Sequence, residues 1–144
     1  MKILLISDSH GDLQSLKTIA NMHPNMDRYI HAGDSERTIE EIAPFMSVKG
    51  NCDYMSNFPN QIILDTPMGK MMIRHSPYLK DYEIDNLKIK IYVYGHTHYK
   101  HFEKINDVYY INPGSISRPR DDTKGSYAIL EISNSDIKVE FKDL

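Results

Sequence analysis

The stretch Gly95-His96-Thr97-His98 carries the plainest chemistry in this chain. It follows Ile91-Tyr92-Val93-Tyr94, a run of β-branched and aromatic residues that reads as a strand. Gly95 lets the backbone turn sharply as that strand ends. Two imidazoles two residues apart in extended chain point the same way. Imidazole is the most adaptable nitrogen ligand for transition metals. Alone, the motif reads equally as two exposed polar residues on a loop.

Five further residues stand just past apolar runs: Asp8, His10, Asp34, Asn51 and His75. Each has an ordinary reading by itself. Asp8-Ser9-His10 could be a turn with a cap. Asp34 after Gly33 and Asn51 after Gly50 could be Asx turns. His75 could be a hydrogen-bonded histidine at a strand end. Together the seven are nitrogen and oxygen ligands with no thiolate, a set that suits two borderline divalent ions. Manganese leads the candidates, with nickel, iron, cobalt and zinc as alternatives. One aspartate can bridge two ions, and such a pair can clamp both oxygens of an in-line displacement. Asp8 and Asp34 offset half the charge of two divalent ions. The site keeps about +2, suited to a phosphate anion and to making hydroxide from bound water.

The elements that must position these residues follow from patterning. Lys2 to Ser7 is a continuous apolar run, read as a strand buried on both faces. Asp12 is an N-cap for a helix with Leu13, Leu16, Ile19 and Ala20 inward, closed by Pro24. Arg28 to His31 reads as a second strand. Ser35 caps a short helix with Ile39 and Ile42 inward, stopped at Pro44. Phe45 to Lys49 reads as a third strand. This order implies parallel pairing with crossover helices and ligands beyond the carboxyl ends of the strands. In the second half, Gln61–Asp65 and Lys70–Arg74 read as a hairpin, and 78–88 as a short helix. Strands are expected at Ile91, at Tyr99–Ile105 and at Val108–Ile111. Ser126–Ile132 and Ile137–Phe141 form another hairpin. The antiparallel character of this half suggests a second sheet packed on the first.

Bulk properties narrow the setting. A chain of 144 residues suits a single domain over 1–144, long enough for a real core. The net charge of −3 and scattered Lys and Arg give no strong nucleic-acid or anionic-membrane signal. One cysteine makes no internal disulfide. The apolar start is too short for a signal segment or a membrane span, so a cytoplasmic protein is expected. A homo-oligomer is compatible with all of these properties.

Asp8-x-His10, Gly33-Asp34, Gly50-Asn51-x-Asp53, His75, Gly95-His96-x-His98 and Asn112-Pro113-Gly114-Ser115 resemble the calcineurin-like metallophosphoesterase superfamily. The short chain and the Gly-Asn-Cys-Asp spelling are most similar to its YfcE-type phosphodiesterase branch. The resemblance implies an α/β protein, a β-sandwich of two mixed sheets flanked by helices. It implies that Asp8, His10, Asp34 and His98 hold one metal, and that Asp34, Asn51, His75 and His96 hold the other. Asp34 would bridge, Asp34, Asn51 and His75 would be catalytic, and a water or hydroxide between the ions would attack the phosphorus of a small phosphodiester. Two departures stand out. His75 is followed by Ser76-Pro77, where the family usually has Gly and often a second His. The segment between His75 and the Ile91 strand is also short, which implies a trimmed cover on one side of the site.

Other residues carry blander readings. Asp53 is either an acceptor for a ligand histidine or a turn aspartate. His31 reads as a buried, hydrogen-bonded histidine, His23 as a helix end, and His101 as solvent-facing. Arg118 and Arg120 read as surface residues, although arginine suits phosphate. Cys52 reads as a small buried hydrophobe before a soft ligand. The leading function is a metal-dependent phosphodiesterase. The alternatives are a non-catalytic metal-binding scaffold on the same fold, like the retromer subunit, and a phosphomonoesterase.

Overall fold

The computed structural model describes all residues from Met1 to Leu144. Strand β1 (Lys2–Ile6) is buried on both faces, as its unbroken apolar run requires. Ile3 and Leu5 face one cluster and Leu4 and Ile6 another. Helix α1 (Leu13–Met22) begins where the Asp12 carboxylate accepts from the Ser15 backbone N–H at 3.1 Å. It buries Leu16 and Ile19 against Leu4 and Ile6. Strand β2 (Arg28–His31) then pairs parallel with β1, and β3 (Met46–Ser47) parallel with β2.

The hairpin of β4 (Gln61–Thr66) and β5 (Gly69–Arg74) opens the second half. Helix α2 (Asp81–Leu87), β6 (Ile89–Val93), β7 (Lys100–Ile105) and β8 (Val108–Pro113) follow, then β9 (Ser126–Ile132) and β10 (Ile137–Asp143). One sheet has the order β10-β9-β1-β2-β3 and the other β4-β5-β6-β8-β7. Both mix parallel and antiparallel pairs. The main core lies between them: Ile3, Leu5 and Ile30 of one sheet, with Val48 just past β3, meet Met71, Ile73, Ile91 and Val93 of the other. Helix α1 covers the outer face of the first sheet. Ile84 of α2 packs beside Met72, Tyr92 and Tyr94 on the outer face of the second. The two mixed sheets with flanking helices are as expected.

Three local expectations fail. The β9–β10 hairpin does not join the second sheet; β9 pairs antiparallel with β1. Its alternating residues Ala128, Leu130 and Ile132 still reach the inter-sheet core, so patterning alone left its partner undetermined. Residues 35–44 form turns and not a helix. Glu36 sits at φ 55°, outside helical geometry, and Ile39 is 52% exposed while Ile42 is buried. The third strand is two residues long, because Lys49 leaves the ladder and donates its N–H to the Pro59 carbonyl.

Candidate metal centre

The seven candidate ligands all stand in loops that leave the carboxyl ends of strands. Asp8 and His10 follow β1, Asp34 follows β2, and Asn51 follows β3. His75 follows β5, and His96 and His98 follow β6. Strands β1, β2 and β3 run parallel, as do β5 and β6, so these loops gather at one end of each sheet. The loops are stitched together by backbone bonds, Asp8 N–H to Gly33 O at 3.0 Å and His10 N–H to Asp34 O at 3.0 Å.

Five of the seven hold left-handed backbone: Asp8 (φ 52°), His10 (44°), Asp34 (62°), His96 (68°) and His98 (64°). Residues with a Cβ rarely adopt this region, and such strain gathers at functional sites. His96 and His98 therefore do not project together from extended chain, as their spacing suggested. His98 Nε2 turns to Asp8 at 3.2 Å, and His96 Nδ1 turns to Asn51 Oδ1 at 3.2 Å. Two glycines make room for the carboxylates. A Cβ on Gly95 would collide with Ser7 Oγ and lie 2.7 Å from Asp8 Oδ2; one on Gly50 would collide with Asp34 Oδ1.

One cluster centres on Asp8, which is fully buried. Its Oδ2 accepts from the Ser7 hydroxyl and from His96 N–H at 3.0 Å. Its Oδ1 has no hydrogen-bond donor. Around that oxygen stand the Nε2 atoms of His98 at 3.2 Å, His10 at 3.8 Å and His75 at 3.8 Å. The far nitrogens of these rings are already committed. His98 Nδ1 donates to Arg118 O at 2.7 Å, and His75 Nδ1 to Ala32 O at 2.8 Å. His10 Nδ1 meets Glu36 Oε1 at 2.8 Å. Neutral rings so tethered turn lone pairs toward a buried carboxylate oxygen. That arrangement repels itself until a cation lies among them, and histidines tethered through the second nitrogen are what metal sites use. In the second cluster, His75 Nε2 lies 3.2 Å from Asp34 Oδ2 and 2.9 Å from Asn51 Oδ1. The donors thus fit divalent transition ions.

Titration directions agree. Burial would raise the Asp8 carboxyl, but the His98 and His75 imidazoles outweigh it and hold it below the usual range. Burial likewise opposes the lowering of Asp34, which His75 and the Cys52 N–H bring about. His98 is raised by its contact with Asp8; His75 is raised, against its burial, by Asp34 and Asp8. Both shifts report a negative field that calls for positive charge.

Of the residues that brace the candidate ligands, sequence reasoning missed Glu36 outright and the partners of Asp53, Asn112 and Ser115. Asp53 contacts no histidine. Its carboxylate accepts from Asp34 N–H at 2.9 Å, Glu36 N–H at 2.9 Å and Gly50 N–H at 2.7 Å, fixing the backbone of one ligand and the approach to another. Glu36 anchors His10 from 26 residues away, and no spacing signals it. Asn112 donates to Gly95 O at 2.9 Å and Thr97 Oγ1 at 3.0 Å, bracing the His96–His98 loop. Ser115 donates to Asp8 O at 2.8 Å. The Asn112-Pro113-Gly114-Ser115 signature pointed to both without giving their roles.

His31 is the buried, hydrogen-bonded histidine expected. Its Nδ1 accepts from Gly33 N–H and its Nε2 donates to Ser9 Oγ; burial pushes its pKa down to about 4. His23 ends α1 and meets the Tyr127 hydroxyl. His101 is engaged by Tyr94 and Glu103. Arg118 and Arg120 are exposed, and they serve the site through backbone alone: the Arg118 carbonyl accepts from His98 Nδ1 and the Arg120 N–H donates to His98 O at 3.1 Å. Cys52 is half-buried, with its N–H donated to Asp34 Oδ1 at 2.7 Å. Its thiol also lies close enough to His10 and Glu36 for the three to share an ion, so it is less enclosed than a core hydrophobe.

Asn51 and His96 are exposed on a groove of about 750 Å³, which Ser76, Pro77 and Tyr78 also line. The short 78–88 segment supplies only the seven-residue α2, none of whose residues lines this groove. The Ser76-Pro77 departure leaves His75 well set: its carbonyl accepts from Gly95 N–H, and the Tyr92 hydroxyl donates to Ser76 O at 2.6 Å.

Comparison with known proteins gives the family and the fold. The calcineurin-like phosphoesterase superfamily domain matches residues 1–135. The chain is 36% identical to the probable metallophosphoesterase YsnB of Bacillus subtilis, over 99% of this chain and 91% of the relative. It is 24% identical to phosphodiesterase YfcE of Escherichia coli K12, over 91% and 88%. A predicted phosphoesterase from Streptococcus pneumoniae superposes with a TM-score of 0.86 at 29% identity, over 99% of this chain and 88% of that one. A single-mutant form of Vps29 from Entamoeba histolytica shares the fold alone: TM-score 0.71 at 21% identity, over 100% and 99%. By its family match, its relatives and its fold, the chain belongs to the calcineurin-like phosphoesterase superfamily of metal-dependent phosphoester hydrolases.

Proposed function

We propose that this chain hydrolyses small phosphodiesters with two divalent transition-metal ions, manganese first among the candidates. Asp8, His10, Asp34 and His98 are assigned to one ion, and Asp34, Asn51, His75 and His96 to the other. The observation that carries this reading is the orphaned Asp8 Oδ1, buried among three imidazole Nε2 atoms. Asp34 is assigned as the shared carboxylate. Its Oδ2 lies 3.2 Å from His75 Nε2 and its backbone carbonyl accepts from His10 N–H at 3.0 Å, so it touches a residue of each group. Two such ions supply a nucleophile from water near neutral pH and positive charge for the phosphoryl oxygens.

The chain's own groups do the rest. Glu36, Ala32 O and Arg118 O hold three imidazoles in the tautomer that offers Nε2. Asn51 and His96, at the exposed edge, border the space where a phosphodiester can enter. Cys52 follows Asn51, at the position where the family resemblance implies a histidine able to protonate the leaving oxygen. Burial and the Asp34 charge push its thiol up, so it gives up a proton poorly at neutral pH. A non-catalytic scaffold has no need of a complete ligand set with braced tautomers. No helix is long and apolar enough to cross a membrane, and a lone free thiol suits the reducing cytoplasm we assign.

The test is hydrolysis of bis(p-nitrophenyl) phosphate by protein loaded with manganese, before and after chelation. Turnover lost on chelation and restored by manganese is expected. Turnover indifferent to chelation would overturn the reading.

A further inference from the structure

Two clefts flank the metal centre, and they differ in charge. The smaller, about 350 Å³, is bordered by three acidic residues, Glu36, Glu41 and Asp53, against one cation, Arg37, which is paired with Glu41 at 3.3 Å. The larger, about 750 Å³, has no carboxylate among its lining residues. An anionic substrate is repelled from the first and admitted by the second.

The larger groove holds three further features. Lys49 lines it, is exposed, and forms no ion pair with any carboxylate. The other cation, Arg74, is neutralised by Glu83, leaving Lys49 as the free positive charge. Arg74 also donates to Gln61 Oε1 at 2.8 and 3.0 Å, which turns the Gln61 amide nitrogen away from it with both hydrogens to offer. Tyr78 is 79% exposed and is the one phenol ring of a wall otherwise built from polar groups, two imidazoles, glycine and proline. An exposed ring on a polar wall is a stacking platform for a flat ring.

We propose that this groove seats one ester arm of the substrate and that the arm is nucleotide-like, with a flat base against Tyr78 and a second phosphate against Lys49. The proposal rests on the phosphodiesterase reading above and names its substrate class. The volume suits an arm of this size, since ligand sites run from about 300 to 1,000 Å³. Gln61, held from behind by the Glu83–Arg74 pair, donates to the base edge or the sugar. The acidic cleft on the far side leaves the second phosphate only one favourable direction.

The experiment compares two dinucleotides that differ by one group, one with and one without a 5′-phosphate, in manganese-loaded protein. Bis(p-nitrophenyl) phosphate is the reference substrate. The phosphorylated dinucleotide should show kcat/KM about tenfold above its partner, the size of one phosphate contact. Lys49→Gln should bring that ratio to about one, and Lys49→Arg should keep it. Tyr78→Ala should cost both dinucleotides roughly tenfold, the size of one base stack, chiefly in KM. A ratio near one in the starting protein, or a ratio unchanged by Lys49→Gln, would overturn the proposal. Turnover of the reference with none of either dinucleotide would overturn it too, while leaving the phosphodiesterase reading intact. No turnover of any phosphodiester would remove that reading, and calorimetry would then decide the groove. Binding of the phosphorylated dinucleotide weakened about tenfold by Lys49→Gln supports it; equal binding refutes it.

Discussion

Replacing Asp53 with asparagine tests whether the backbone of the metal loops is held in place from below. The Asp53 carboxylate is 2% exposed and accepts three backbone N–H groups. Two of them, from Asp34 at 2.9 Å and Gly50 at 2.7 Å, meet the same oxygen, Oδ2. An asparagine oxygen can take that place, but its NH₂ then faces the Glu36 N–H, donor against donor. Leaving one buried N–H unsatisfied costs about 1–3 kcal/mol, and each remaining bond loses about 1 kcal/mol of charge assistance. Relief from burying a carboxylate offsets part of this, so Asp53→Asn should destabilise by about 2–4 kcal/mol. The loss falls on residues that need the tether, since Asp34 and Glu36 hold φ 62° and 55°. Manganese affinity should drop roughly 10–100-fold, the range for losing an outer partner of a ligand. Urea unfolding reads the first effect and metal titration the second. A variant with stability within about 0.5 kcal/mol of the starting protein and unchanged affinity would refute the reasoning.

The remaining predictions concern ligands, the leaving group and acid stability. Asp34→Asn and His98→Ala should each abolish turnover with the far-ultraviolet spectrum unchanged, Asp34→Asn being the worse because that carboxylate is assigned to both ions; near-normal turnover in either would mean the ligands are wrongly assigned. Across aryl and alkyl phosphodiesters, the rate should fall steeply as leaving-group pKa rises, and Cys52→His should flatten the slope, because general acid catalysis is worth about 10²–10⁴-fold. A flat slope in the starting protein would show that another acid serves. The bond from Arg74, with help from the Lys80 N–H, holds Glu83 down to about 2. Its folded pKa is depressed, so its stabilisation is present above about pH 4.5 and lost as pH falls toward 2. Allowing for solvent screening, Glu83→Gln should cost about 1 kcal/mol at pH 7 and nothing near pH 2 in thermal unfolding; a difference that persists in acid would refute the pairing.

Much of the candidate site was legible because the proposed ligands stand directly after strands that patterning identifies. Asp8 and His10 follow an unbroken apolar run, and His96 and His98 follow Ile91 to Tyr94, so both their place and their chemistry are local information. The supporting residues were not legible. Glu36 reaches His10 across 26 residues and Asp53 reaches Asp34 across 19, and neither distance leaves a mark in the sequence. The same contacts explain the missing helix at 35–44. Glu36 gives its N–H to Asp53 and its carboxylate to His10, and the left-handed backbone this requires ends any helix at its start. The place of β9 beside β1 was hidden for another reason: an alternating strand declares a buried face but not its neighbour.

The most direct measurement of the central claim is the metal content of the purified protein after growth with added manganese. Elemental analysis should find about two transition-metal ions per chain, removed by chelator together with activity. Protein that is folded yet carries no such ion would contradict the assignment of Asp8, His10, Asp34, Asn51, His75, His96 and His98 as a two-metal centre.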